Sequence, residues 1–200
     1  MRSLYTNNRK KNHLAFNIKW DDKLDLSQIW RIIKLQTEKD VTIFSIQVKD
    51  LPNEKLNELL TYYIKESYLD ENKIKISFIG RWYDLPNETL NIIKRHMTNT
   101  KEYTNYFLNF VVNYDGHQEI VDATKILCRQ IIGEKIDIDN ITKEQIKENL
   151  YTSYFIPPEL IITINNEHKL DGFLLWDSYY SEVIFIKLEE FNIDLVKEMV

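Results

Sequence analysis

Glycine is scarce in this 200-residue chain, which holds only Gly80, Gly116, Gly133 and Gly172. Loops that wrap a phosphate in backbone N–H groups need glycine for close approach and for left-handed φ. No Gly-x-Gly-x-x-Gly or Walker-type loop is present, which counts against the common nucleotide folds. The single cysteine, Cys128, rules out an intrachain disulfide and fits a reducing compartment. No apolar run reaches the ~18 residues of a membrane span, and the first residues lack a signal-peptide core. Positive charge is short too: 26 Lys and Arg stand against 31 Asp and Glu, for a net charge of -5. That balance speaks against nucleic acid as partner, because phosphates require a basic surface. The run Arg9-Lys10-Lys11 reads as a solvated basic tail over residues 1–12, ahead of one domain spanning 13–200. These features place the chain in the cytoplasm, with peripheral contact as its only membrane role.

What is present is a globular composition, 44% hydrophobic and 28% charged, long enough to bury a substantial core. Strand patterns occupy 13–18, 41–48, 74–78, 107–114 and 160–164. Between them lie helical patterns. The first contains Leu26, Ile29, Trp30, Ile33 and Leu35, with Asp25 or Ser27 as cap. Pro52 opens a second, with Leu56, Leu59, Leu60, Tyr63 and Ile64 on one face. Leu85-Pro86-Asn87-Glu88 starts a third, and 119–132 forms a fourth that stops at Gly133, a favoured C′ residue. Thr142-Lys-Glu-Gln145 is a capping box, and a last helix begins near Asn192. Strands alternating with helices predict an α/β fold, a single domain whose mostly parallel central sheet is flanked by helices. Cys128 shares a predicted face with Thr124, Leu127 and Ile131 and reads as core. His13, His96, His117 and His168 have no metal-ligand spacing.

Two blocks carry a resemblance. One begins at Pro158-Glu-Leu-Ile-Ile-Thr-Ile-Asn-Asn-Glu167, continues through Leu170 and Phe173-Leu-Leu-Trp176, and ends at Tyr180-Ser-Glu182. The other is Leu108-Asn-Phe-Val-Val-Asn-Tyr-Asp-Gly-His-Gln-Glu-Ile120. In this order they resemble the cis-prenyltransferases, the undecaprenyl and dehydrodolichyl diphosphate synthase family. The resemblance implies a cis-prenyltransferase-like domain that acts on isoprenoid diphosphates. It also implies Mg²⁺ shared with a partner subunit, Glu182 as a metal ligand across a dimer interface, and Phe173, Trp176, Tyr180 and Glu182 as interface positions. Substrate-side positions are Lys23, Asn113, His117 and Lys169.

The same resemblance breaks where the family binds diphosphate. The family's two arginines and serine in the C-terminal block fall on Thr163, Lys169 and Asp171, and its arginine in the other block falls on His117. Its aspartate-glycine turn after the first strand corresponds to Lys19-Trp20, followed by Asp21 and Asp22. Each charge-assisted hydrogen bond lost with an arginine removes roughly 1.5–3 kcal/mol. A carboxylate set about 4 Å from a phosphate adds a repulsion of ~4 kcal/mol at an effective dielectric of ~20. Lysine at 169 keeps a point charge but not a bidentate fork.

The short link from the first strand to Val41 resembles the non-catalytic, Nogo-B-receptor-type subunits of heteromeric cis-prenyltransferases. The chain ends at Met199-Val200, without the R-x-G tail usual in such subunits. The reading is a non-catalytic or regulatory subunit paired with a catalytic chain. The alternatives are an active isoprenyl transferase with a rearranged site, using Lys19, Lys23 and Lys169 as phosphate grips, and an isoprenoid- or protein-binding homodimer.

Overall fold

A computed structural model describes residues 11–200, so Arg9, Lys10 and most of the basic tail lie outside the described residues. Six strands form one sheet in the order β3-β4-β2-β1-β5-β6. They are β1 (His13–Lys19), β2 (Ile43–Lys49), β3 (Ile74–Ile79), β4 (Tyr106–Val111), β5 (Leu160–Ile164) and β6 (Glu182–Ile186). Every pairing is parallel, which goes beyond the mostly parallel expectation. The helices are α1 (Leu26–Glu38), α2 (Asn53–Glu58), α3 (Glu66–Asn72), α4 (Asn87–Asn99), α5 (Gly116–Ile132), α6 (Lys143–Glu148) and α7 (Ile193–Met199).

The two faces of the sheet differ chemically. Even-numbered residues on one face bury Leu14, Phe16, Ile18, Phe44, Ile46, Ile162 and Ile164 against Ile29 and Ile32 of α1, Leu56 of α2 and Val196 of α7. Phe16 and Phe44 stack at 5.1 Å between ring centroids. A fully buried side chain of this kind contributes about 1.5–3 kcal/mol, so this dry face is the main source of stability. The odd-numbered face holds a smaller apolar cluster of Ala15, Ile79, Val111, Ile161, Phe173 and Leu174. It also buries His13, Asn17, Ser45, Gln47, Asn109 and Thr163.

Several local expectations change. A π-turn over Leu59–Tyr63 extends α2, and His96 Nε2 donates to the carbonyl of Leu60 at 2.8 Å. α5 starts at Gly116 because Asp115 caps it, accepting from the Gln118 N–H at 2.9 Å. Gly133 sits at φ −83, and the left-handed residue after α5 is Glu134 at φ 55. Cys128 is exposed, since the buried stripe of α5 runs through Glu119, Ala123 and Leu127. The helix α3 and the edge strand β6 were not read from sequence.

Candidate functional site

In an open parallel sheet, ligands bind beyond the carboxyl ends of the strands, at the point where chain connections diverge. Here that point lies between β1 and β5: β1 connects leftward to β2, and β5 connects outward to β6. A cavity of about 130 Å³ sits there, lined by Lys19, Trp20, Asp21, Asn165, Glu167 and Asp171. Beside it, between the ends of β2 and β4 and helix α2, lies a larger cavity of about 320 Å³. Leu51, Leu56, Leu59, Leu85 and Phe110 line its wall, with Lys49, Asp50 and Tyr114.

Most anion-binding elements around this crevice already hold a carboxylate of the same chain. Lys19 Nζ lies 3.5 Å from Asp50, Lys49 Nζ lies 3.2 Å from Asp171, and Lys169 Nζ lies 2.8 Å from Glu167. Hydrogen bonding to Lys169 holds the Glu167 carboxyl below its ordinary range. The N-terminus of α1 is filled too. Asp25 accepts from the N–H groups of Ser27 at 2.6 Å and Gln28 at 3.1 Å, and the Gln28 side chain accepts from Asp25 N–H. Those amides are the donors a phosphate would otherwise take. At α5, Asp115 occupies the amide of Gln118 and lies 3.7 Å from the exposed His117 ring. Among the described residues, Lys23 is the one lysine of the predicted site with no ion pair.

The segment from Asn165 to Leu174 is clamped over the strand ends. Asn17 Nδ2 donates to the Leu170 carbonyl at 2.9 Å, and Asn165 Nδ2 donates to the Lys169 carbonyl at 2.7 Å. His168, Asp171 and Leu174 adopt left-handed backbone, as does Gly172. A Cβ on Gly116 would stand 2.3 Å from the Gly172 carbonyl oxygen, which explains glycine at that close approach.

The structure separates residues that the resemblance grouped. Thr163 is fully buried in β5, its hydroxyl lacks a partner, and it cannot meet a ligand in the crevice. Asn113, at φ 45, braces a turn by donating to the Arg81 carbonyl at 3.0 Å. Glu182 is level with Leu160 and Leu14, five strand residues from Lys19, or about 16 Å at ~3.3 Å per residue. Phe173 is 0% exposed within its own chain, so it is core and not interface. Trp176 is half-buried, while Tyr180 is exposed. Among the described residues, no three His, Cys, Asp or Glu side chains gather to hold a metal. Octahedral Mg²⁺ asks for several oxygens, so this chain alone does not fit it, and Glu182 could supply one ligand at most. Sequence reasoning missed Lys49, Asp50 and Asp171 as pairing partners; the only local signal was an acid directly after the lysine that ends β2.

The described geometry has relatives. Residues 22–192 match the Prenyltransf family model, described as undecaprenyl diphosphate synthase. The chain belongs to this cis-prenyltransferase family. A geranylgeranyl-diphosphate-specific undecaprenyl-diphosphate synthase of Methanopyrus kandleri is 32% identical over 171 residues, covering 80% of this chain and 63% of that protein. The corresponding Thermoplasma volcanium synthase is 34% identical over 130 residues, 65% of this chain and 50% of its own length. This family member thus spans only about half to two-thirds of the relatives it matches. A crystal structure of lavandulyl diphosphate synthase from Lavandula x intermedia, in complex with dimethylallyl diphosphate, superposes with a TM-score of 0.83. That pair shares 19% identity and covers 95% of this chain and 94% of the other, which establishes the fold.

Proposed function

We propose that this chain is a non-catalytic subunit of a heteromeric cis-prenyltransferase that makes polyprenyl diphosphate carrier lipid. One observation carries the reading: Lys19, Lys49, Lys169 and the amides of α1 are each engaged by a carboxylate of the same chain. A diphosphate entering the crevice would have to break those contacts and face Asp21, Glu167 and Asp171. A lysine also stands where the family keeps its catalytic aspartate. In the complex, the catalytic partner supplies the phosphate grips, and Glu182 is the group this chain offers to a shared Mg²⁺. Among the described residues, no helix is long and apolar enough to cross a membrane.

The test is incorporation of labelled isopentenyl diphosphate onto farnesyl or geranylgeranyl diphosphate with Mg²⁺. The chain alone is expected to give none, while its complex with the catalytic chain of the same cell elongates. Turnover by the purified chain would refute the reading. A second reading, an active transferase with a rearranged site, draws on the synthase names of the relatives and on the free Lys23. It requires activity from the chain alone that falls on Lys23→Ala.

A further inference from the structure

A further cavity, of about 360 Å³, lies beside the crevice, between the start of α1 and the turn that follows β6. Asn166 and Leu188 line both spaces and stand between them. The charges lining the two spaces are opposite in sign. The crevice cavity sets Lys19 against Asp21, Glu167 and Asp171, a balance of -2. The outer cavity sets Lys23 and Lys187 against Glu189, a balance of +1.

The donors of the outer cavity are also unspent. Among the described residues, neither Lys23 nor Lys187 forms an ion pair or a hydrogen bond through Nζ. Gln28 and Asn166 each have the side-chain oxygen taken by a backbone N–H. Asp25 donates to Gln28 at 3.0 Å, and Leu188 donates to Asn166 at 3.1 Å. Both side-chain NH₂ groups are thereby left without a partner among the described residues. The floor beneath these donors is apolar: Leu24 is buried, and Leu188 and Phe191 pack half-buried against the core. The walls are tied, since Leu24 N–H donates to the Asp21 carbonyl at 2.9 Å and Asn165 N–H to the Ile186 carbonyl at 3.1 Å. The amides of α1 take no part, because Asp25 caps them.

We infer that this cavity binds an anionic amphiphile, a single phosphate joined to a hydrocarbon, outside the crevice in which the family holds diphosphate. The three terminal oxygens of a phosphate monoester suit four donors better than the two of a carboxylate. Two partly exposed lysines hold a bare anion weakly, so the apolar floor has to supply the rest of the affinity. The volume lies at the low end of the ~300–1,000 Å³ of small-ligand sites. The inference goes beyond the subunit reading and does not depend on it.

The test follows the full chain by NMR, with the side-chain NH₂ signals of Gln28 and Asn166 as reporters. Octyl phosphate, kept below its micelle concentration, should shift both signals and the amides of 187–191 saturably at submillimolar concentration. Octanol should shift neither, and inorganic phosphate alone should not saturate below millimolar concentration. Lys23→Gln and Lys187→Gln should each weaken binding about tenfold. Glu189→Gln should tighten it about threefold, and Lys169→Gln in the crevice should change it less than about twofold. Unchanged amide signals elsewhere show that each variant is folded. Shifts confined to Lys19 and Glu167, or to the cavity walled by Leu51 and Leu85, would overturn the proposal. So would equal binding of octanol, no saturation, or full affinity in both lysine variants. Phosphatidylcholine vesicles with and without phosphatidic acid separate two sources of the phosphate. Capture by the acidic vesicles that Lys187→Gln abolishes identifies a lipid headgroup; octyl phosphate binding without capture identifies a soluble phosphomonoester. Elongation by the isolated chain would sink the subunit reading and leave this site standing, and failure of octyl phosphate to bind does the reverse.

Discussion

The two ends of the sheet handle charge in opposite ways. At the carboxyl end, the pairs Lys19–Asp50, Lys49–Asp171 and Lys169–Glu167 are partly exposed and bridge flexible side chains. Pairs of this kind contribute at most about 1 kcal/mol each, so they matter for what they block and little for stability. At the amino end, Lys147 and Asp177 are withdrawn from water, with side-chain exposures of 21% and 4%. There the pairing is structural, because an unpartnered charge at that site would be left without solvent. Lysine–carboxylate pairs thus line the crevice at one end and fix a surface at the other.

The comparison breaks hardest at Asp177. Asp177→Ala should destabilise by about 3–5 kcal/mol in urea unfolding, since it strands a half-buried lysine. Adding Lys147→Met should restore much of that loss. A result under about 1 kcal/mol for the single variant would make the amino-end pair no different from the crevice pairs.

The next effect is pH-dependent and also belongs to the amino end. His13 donates through Nδ1 to the Ile156 carbonyl at 2.6 Å and accepts the Ser45 hydroxyl at Nε2, 2.8 Å away. Burial lowers its pKa from 6.5 to about 4. The unfolded chain therefore binds a proton that the folded chain refuses between those values. Stability should drop by roughly 3 kcal/mol as pH falls from 6.5 to 4, and return as pH rises. His13→Gln should be less stable at pH 7 and should flatten that window, as followed by thermal unfolding across pH.

Gly116→Ala probes the clamp over the crevice. Its Cβ would meet the Gly172 carbonyl oxygen at 2.3 Å and Leu175 Cβ at 2.5 Å. A loss of about 1–3 kcal/mol is expected, with faster amide exchange in 170–175. The smallest effect on stability belongs to the crevice pairs. Asp50→Asn, Glu167→Gln and Asp171→Asn should each change it by less than about 0.5 kcal/mol. Together they should give the chain a measurable affinity for pyrophosphate.

Much of this fold is legible along the sequence, and the unread parts have identifiable causes. β1 to β5 announce themselves through β-branched and aromatic runs. β6 is a five-residue edge strand that follows directly on the Trp176-to-Tyr180 motif, with no glycine or proline to mark its start. α3 buries only Leu69, so its seven residues carry no helical period. Cys128 misleads because it adjoins Leu127, yet one residue turns a helix by ~100° and carries it off the buried stripe. At the site, the altered positions Lys19, Thr163 and Lys169 are visible in sequence. Their outcomes are not, because Lys49 and Asp171 meet across 122 positions and only the folded chain brings them together.

The most direct measurement is a calorimetric titration of the isolated chain with inorganic pyrophosphate and Mg²⁺, read beside phosphorus NMR. No saturable heat and no line broadening below millimolar concentration are expected, because the cations of the crevice are already neutralised. Tight, magnesium-dependent binding at micromolar concentration by the unaltered chain would contradict the account.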